Sequence, residues 1–553
     1  MNQHHTPSVF VNRQLGLRRR VFKASRSFVG IEKVKNQLMP PLLRTTIGLL
    51  AISLVGLTDL AFAQNAPVRP AGQKPNAPAL PPGYAPPSAA PPVFTFQKAL
   101  LDEDTQKSLK RSAIGITTTL RGQGNGLSPQ DKKKIQDWAK LRVYEMTMPE
   151  HFTPPVVKYT TDRPKPGEMN AGGAEGFLPD GGGFPGPGTQ PRPEPEKKKI
   201  PRFDSVADVR EKLERELRST GSLASRTDQV KMIRTVVCKE VAARAEEVLD
   251  NNYWVRLNAV ILLGNLNVLE DDGRRGTTRQ AYAPAYKPLV KVLLTPTGGQ
   301  LDQQHESVKI RAALGLKNIA LTASLADLGV LDKDEIARAL ISELKQPNNH
   351  WWYKQSLIQA LSAVDLVQDA KNAKPIILEA LGDVLTDQNQ ELIVRAYAAK
   401  ALGRIPLPGT VEWPTLAHRI VQLAKEVAET YQKSPGRADL REALWCIYLA
   451  FKPETHLEIQ RYSGRKQKAG FLSNTVPAVI NEAYQQVVPL ASHAINQPVQ
   501  GQAAQIPAEQ IATLTQWLQN KTPANNKLAP NISDLNPIGP LKTAAEPGSS
   551  GGE

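Results

Sequence analysis

The sequence predicts an all-α fold: about five helix pairs stacked in register, with helical caps at both ends and Pro- and Gly-rich linkers outside the stack. Three observations predict it. First, residues 393–405 form one helix-spaced stripe. From Arg395, small or apolar side chains fall at Ala398, Ala399, Ala401, Leu402 and Ile405, and Gly403 leaves room for a neighbouring helix. Second, the stripe recurs. Basic anchors at Arg256, Lys309, Lys354, Arg395 and Arg441 are separated by 53, 45, 41 and 46 residues. Each follows an apolar residue (Val255, Val308, Tyr353, Val394, Leu440) and precedes a similar run, such as Ala259, Val260, Leu262 and Leu263 after Arg256. Third, the 45 prolines and 38 glycines, many for a helical chain, concentrate in segments between and beyond these repeats.

Steps of this size suit stacked two-helix units. The motif at 393–405 resembles the second helix of a HEAT repeat, and the resemblance covers about 230–452. Ser362 and Leu449 stand where the clearest copy has glycine. The resemblance implies a right-handed, armadillo-like α-solenoid. It specifies an architecture and a kind of surface, with no reaction attached.

At the start, Arg44 precedes an apolar run from Ile47 to Leu57, and Ala61-Phe62-Ala63 has the small-x-small spacing of a signal-peptidase site. Residues 1–63 are therefore expected to be an export signal, with Gln64 as the mature start and Met39 as a candidate initiator. The run is too short for a stable transmembrane anchor once the signal is cleaved. The basic, acid-poor stretch ahead of Met39 makes a mitochondrial presequence the alternative address. Export points to a periplasmic or extracellular envelope location.

The formal charge of +16 is partly that address. Without residues 1–63 the chain keeps 60 basic and 51 acidic side chains, a mild surplus spread over a long chain. No nucleic-acid-binding motif accompanies it. Cys238 and Cys446 fall in the first and last repeats, units that do not touch in a linear stack, so two buried free thiols are expected.

In chain order, 64–92 holds ten prolines and reads as a solvated linker. Residues 93–161 read as a small helical segment, with a helix over about 97–110 and another starting at Ser128-Pro129-Gln130-Asp131, an N-cap followed by proline. Residues 162–200 are a Gly/Pro-rich linker, and the solenoid occupies 201–495. Within it, the helix from Asp204-Ser205 is expected to cap the N-terminal end. First helices are expected near 230–249, 286–294, 333–345, 374–386 and 413–432, and a helix over about 476–495 is expected to cap the other end. Insertions over 270–282 and 295–306 read as loops. Residues 496–553 read as a mostly disordered tail with one short helix at 507–519.

Catalytic signatures are missing from the sequence. No His pair has the spacing of a zinc-protease helix, and there is no Cys-x-x-Cys, nucleophile elbow, Walker lysine loop or EF-hand spacing. Gly122 to Gly126 lacks the phosphate-loop lysine and reads as a turn. The reading is a non-enzyme without cofactor or metal.

Two features are candidates for partner binding. One is His350-Trp351-Trp352-Tyr353, where Tyr353 fills the apolar slot before an anchor while Trp351 and Trp352 precede the helix. Exposed rings there could stack on sugars or anchor peptides. The other is the ladder Arg256, Lys309, Lys354, Arg395 and Arg441, a basic strip for acidic partners if it faces outward. In HEAT proteins such a residue commonly supports the turn between helices, and Asp250, Glu306 and Asp387 precede three of the anchors. The expected function is an exported scaffold binding a protein or other macromolecule through its solenoid surface. The alternatives are an enzyme accessory, since HEAT-like repeats also occur in bilin lyases, and carbohydrate binding through the tryptophans.

Overall fold

The structure, a computed structural model, describes residues 100–120, 127–152, 204–221, 227–271, 278–298, 303–455, 468–495 and 505–537. The expected export signal and both linkers lie outside them. The chain divides into two compact units, Met1–Pro91 and Pro92–Glu553. All described residues belong to the second, and their regular secondary structure is almost wholly α-helical.

Its first helices are α1 (Glu103–Ser112), α2 (Ile116–Leu120) and α3 (Pro129–Tyr144). Ser128 and Asp131 close a reciprocal capping box at the start of α3, with Pro129 in the first turn, as Ser-Pro-Gln-Asp predicts. Helix α1 starts at Glu103 rather than 97, because Asp102 accepts from the Thr105 N–H and caps it there.

The five anchors each lie on a helix, and each of those helices pairs with the one before it. The pairs are α5 (Thr227–Glu247) with α6 (Tyr253–Asn265), α7 (Tyr286–Leu294) with α8 (Glu306–Thr322), α9 (Val330–Leu344) with α10 (Trp351–Leu361), α11 (Ile376–Thr386) with α12 (Leu392–Leu402), and α13 (Trp413–Lys433) with α14 (Ala438–Phe451). Second helices pack on second helices from α6 through α8, α10 and α12 to α14, and first helices pack likewise from α7 to α13. Each contributes fully buried side chains, for example Val255, Val260, Leu262 and Leu263 of α6. A large apolar side chain buried this completely contributes about 1.5–3 kcal/mol.

Glycines set the closest approaches. A Cβ on Gly264 would stand 2.7 Å from Cα of Gly315, so α6 and α8 meet backbone to backbone. The Asn318 amide donates to the Gly264 carbonyl at 2.7 Å across that seam. Gly403, the glycine of the clearest repeat, is pressed against Ala450 of α14.

Helix α4 (Val206–Gly221) ends the row of second helices among the described residues, but not alone. It lies beside α6, and α3 lies beside both α4 and α5. The Arg142 guanidinium of α3 pairs with Glu216 of α4 at 2.6 Å, and the Trp138 indole donates to the same carboxylate at 3.2 Å. So α3 and α4 extend both rows by one position, and the Gly/Pro segment falls between the two members of that pair. The described part of the segment at 93–161 shares one hydrophobic core with the following helices.

The connections carry the described strands. Asn267–Leu269 pairs antiparallel with Gln280–Ala281, and Glu454–Thr455 with Lys468–Ala469. After α15 (Ala478–Ile495), which packs on α14, comes α16 (Ala508–Asn520), which packs on α13.

Within the tail expected to be mostly disordered, α16 is the short helix expected at 507–519, and the chain is also ordered beyond it as far as 537. Beyond α16 the chain crosses α13 and α11 with Leu528, Ala529, Ile532 and Leu535 buried. The Leu528 carbonyl accepts from Glu412 N–H at 2.9 Å, and Ser533 donates twice to Glu379. Gly382 of α11 has no side chain because Leu528 and Leu535 fill that space. Pro- and Asn-rich composition reads as disorder, yet four apolar side chains at suitable spacing supply enough burial to order it.

Candidate functional site

The second helices present two kinds of side chain at their starts, and the structure separates them. Four of the five basic anchors are buried: Arg256, Lys309, Lys354 and Arg395. Each spends its donors on the next pair. Arg256 donates to the Gln303 carbonyl ahead of α8 at 2.7 Å, and also to Asn251 O. Lys309, 1 % exposed, pairs with Glu343 of α9 at 2.8 Å, and the Tyr353 hydroxyl donates to the same oxygen. Lys354 donates to Gln390 ahead of α12 at 2.9 Å. Arg395 bonds the Leu385 carbonyl of its own pair and Glu426 of α13. Burial lowers the proton affinity of both Lys354 and Arg256.

These four therefore act as struts between consecutive pairs and do not form an outward basic strip. A buried cation needs fixed acceptors, and the next pair supplies them. Arg441, on the last of the five pairs, is partly exposed. The acidic neighbours serve otherwise than expected in one case: Glu306 accepts from the His350 N–H, tying α8 to the start of α10, while Lys309 takes Glu343.

The aromatic candidates face the other way. Trp352 is 57 % exposed, whereas Trp351 is half-buried against the core and Tyr353 is fully buried. Sequence reasoning missed a second exposed indole, Trp254, at 50 %. The signal was present: Trp254 and Trp352 both stand two residues before an anchor, with Ser307 in that slot between them.

The intervening groups are aromatic rings and hydroxyls, with the Glu306 carboxylate at the start of α8. Tyr253 touches Trp254 at 5.0 Å between ring centroids and His305 at 5.3 Å, and its hydroxyl lies 2.9 Å from Ser307 Oγ. On the next pair, His350, Trp351 and Trp352 follow with centroids 5.6 Å apart at each step.

Local capping explains why these residues gather. Asn252, His305 and His350 are the N-caps of α6, α8 and α10, and each accepts from an N–H of its own first turn. In both histidines Nδ1 is the acceptor, which places the ring proton on Nε2. Because α6, α8 and α10 are neighbours in one row, their starts form a continuous edge of indole, phenol, imidazole and hydroxyl.

Other chemistry-bearing groups are structural. Among the described residues no cluster of three or more His, Cys, Asp or Glu could hold a metal ion. Both thiols are free and buried, and burial pushes Cys238 up to about 12 and Cys446 up to about 11, far from thiolate at neutral pH. His418 is buried in α13 and donates from Nε2 to the Leu518 carbonyl of α16 at 3.2 Å, and burial lowers its pKa. The His305–Ser307 contact, 2.9 Å, belongs to the helix cap. On the surface of α14 and α15, Trp445, Tyr448 and Tyr484 stack, and the Lys452 ammonium lies 5.5 Å from the Tyr448 ring centroid. No described helix is long and apolar enough to cross a membrane.

No protein-family model matches the chain, and no curated protein or solved structure was found to match it.

Proposed function

We propose that this chain is an exported, non-catalytic scaffold, a right-handed HEAT-like α-solenoid of stacked helix pairs that binds a protein partner across its concave face, along the row of second helices. One observation carries this reading: four of the five anchors spend their charge on the following pair. Internal struts repeated from pair to pair fit a quasi-one-dimensional stack, whose long modular surface suits recognition of another macromolecule. The buried thiols and the capping histidines give the described surface no activated nucleophile.

The test is site-specific photocrosslinking in the intact exported chain. A photoreactive residue replaces exposed Arg311 on α8, or, as a control, exposed Lys291 on α7. The expected result is one discrete protein adduct at position 311 and none at 291, with the mature chain outside the cytoplasm and starting at Gln64. Retention of residues 1–63 in a cytoplasmic protein, or no adduct at 311, defeats the proposal.

A further inference from the structure

We propose that the edge formed by the starts of α6, α8 and α10 binds a linear, uncharged polysaccharide that lies across Trp254 and Trp352. This goes beyond a protein-binding role and concerns the starts of the same second helices. It rests on three observations.

The first is exposure with register. Indoles are costly to leave in water, yet Trp254 and Trp352 are half exposed or more. They occupy the same slot of helices two positions apart in one row. Neighbouring packed helices stand 8–10 Å apart, so the two indoles are separated by roughly 16–20 Å. A short ligand touches one indole. An extended oligomer touches both.

The second is what lies between them. Tyr253, His305, Ser307 and Trp351 offer ring faces, hydroxyls and the exposed His305 imidazole at close steps, while Nε2 of His350 is buried. A pyranose ring has one face of C–H groups and a rim of hydroxyls. The C–H face, weakly positive, packs on the negative face of an aromatic ring, and the rim needs donors and acceptors at the side. The edge supplies both in alternation.

The third is charge. Three basic side chains at the edge, Arg256, Lys309 and Lys354, turn inward and are consumed by the next pair. The Glu306 carboxylate accepts from the His350 backbone. What remains outward beside the rings is of mixed charge: among the described residues, Arg311, exposed one turn after Ser307, stands against the carboxylates of Glu306 and Asp250, with no surplus of cations. Without a cationic surplus the edge suits a neutral polymer better than a phosphate backbone, which is held by lysine and arginine.

The experiment titrates the full mature chain with cellohexaose, laminarihexaose and chitohexaose by calorimetry and tryptophan fluorescence, beside cellobiose, glucose and the polyanion heparin. The expected result is binding of at least one hexamer, at least tenfold weaker binding of the matching disaccharide, and little dependence on salt. Trp254→Ala/Trp352→Ala should lose roughly tenfold or more in affinity, the scale of losing a stacking platform. Trp254→Phe/Trp352→Phe, which keeps a ring at each position, should fall between. It also provides the comparison should the alanine form fail to fold.

Three outcomes overturn the proposal: no hexamer binds, hexamers bind with affinity unchanged in both double variants, or heparin alone binds and salt abolishes it. None of these touches the photocrosslinking result at position 311, so the two proposals fail separately.

Discussion

Two sets of residues share the first turns of α6, α8 and α10 and meet opposite fates. Arg256, Lys309 and Lys354 are charged and buried, while Trp254 and Trp352, two positions earlier on their helices, are apolar and exposed. Hydropathy alone would sort them the other way. The difference comes from partners. Each cation has an acceptor fixed by the following pair, so its desolvation is offset. A helix turns about 200° over two residues, so in α6 and α10 the slot two before the inward anchor points outward, whereas on α12 a further layer buries Ile393 in that slot. The outward slot is free to vary, and in two of the three helices it holds an indole.

The largest way to break this contrast is at Lys309. Lys309→Ala leaves Glu343 buried with only the Tyr353 hydroxyl for company, and should cost about 3–5 kcal/mol of stability. Chemical denaturation of the variant checks it. Lys309→Met/Glu343→Leu removes both charges and should regain most of the loss, because an apolar pair of similar volume suits the site. A loss as large in the double variant would mean that the contact matters for its shape and not for its charge balance.

A smaller effect is expected at the seam that holds the row together. Gly264→Ala drives a Cβ into the Gly315 backbone, and overpacking of this kind costs about 1–3 kcal/mol. A melting curve unchanged from the parent would show that α6 and α8 can separate freely.

The buried thiols report on the same interior. Cys238 and Cys446 should resist alkylation at pH 8 in the native state and react once denaturant is added. Burial raises the Cys238 pKa from 9.0 to about 12, so the neutral thiol is the form the fold favours. Its contribution is therefore complete below pH 9 and is lost as pH rises from there towards 12. Stability that increased over that alkaline range would contradict the sign.

Much of this was legible in the sequence for a simple reason. Five anchors with the same apolar frame define the same helical face five times, and the helices and their pairing follow from it. The pair α3–α4 was not legible. Arg210 follows Val209 and stands 46 residues before Arg256, but Glu214 and Glu216 interrupt the apolar frame after it and the Gly/Pro-rich segment separates the members of the pair, so α4 read as a cap alone. The tail failed differently: Leu528, Ile532 and Leu535 sit among Pro and Asn, and only the socket at Gly382 shows why they are ordered. At the candidate site, burial decided what spacing could not. A basic residue at a helix start is equally consistent with an outward strip and an inward strut until its acceptor is known, and Glu343 lies 34 residues from Lys309. Trp254 was overlooked although the slot that flags Trp352 flags it too.

The smallest expected effect sharpens the contrast most. If the outward slot is maintained for contact with a partner, emptying it should leave the fold alone. Trp254→Ala/Trp352→Ala removes two side chains that are more than half or about half in solvent, and surface substitutions of this kind usually change stability by about 0.5 kcal/mol or less. Some cost is expected from the ring contacts with Tyr253 and Trp351, which lie 5.0 and 5.6 Å away by centroid and are themselves packed on the core. Denaturation midpoints measured beside Lys309→Ala settle the matter. A loss approaching that of the lysine variant would make the indoles part of the core, and the division between inward struts and outward rings would collapse. A near-neutral result leaves two exposed indoles that the fold does not need, and their retention would then have to be explained by what they touch outside it.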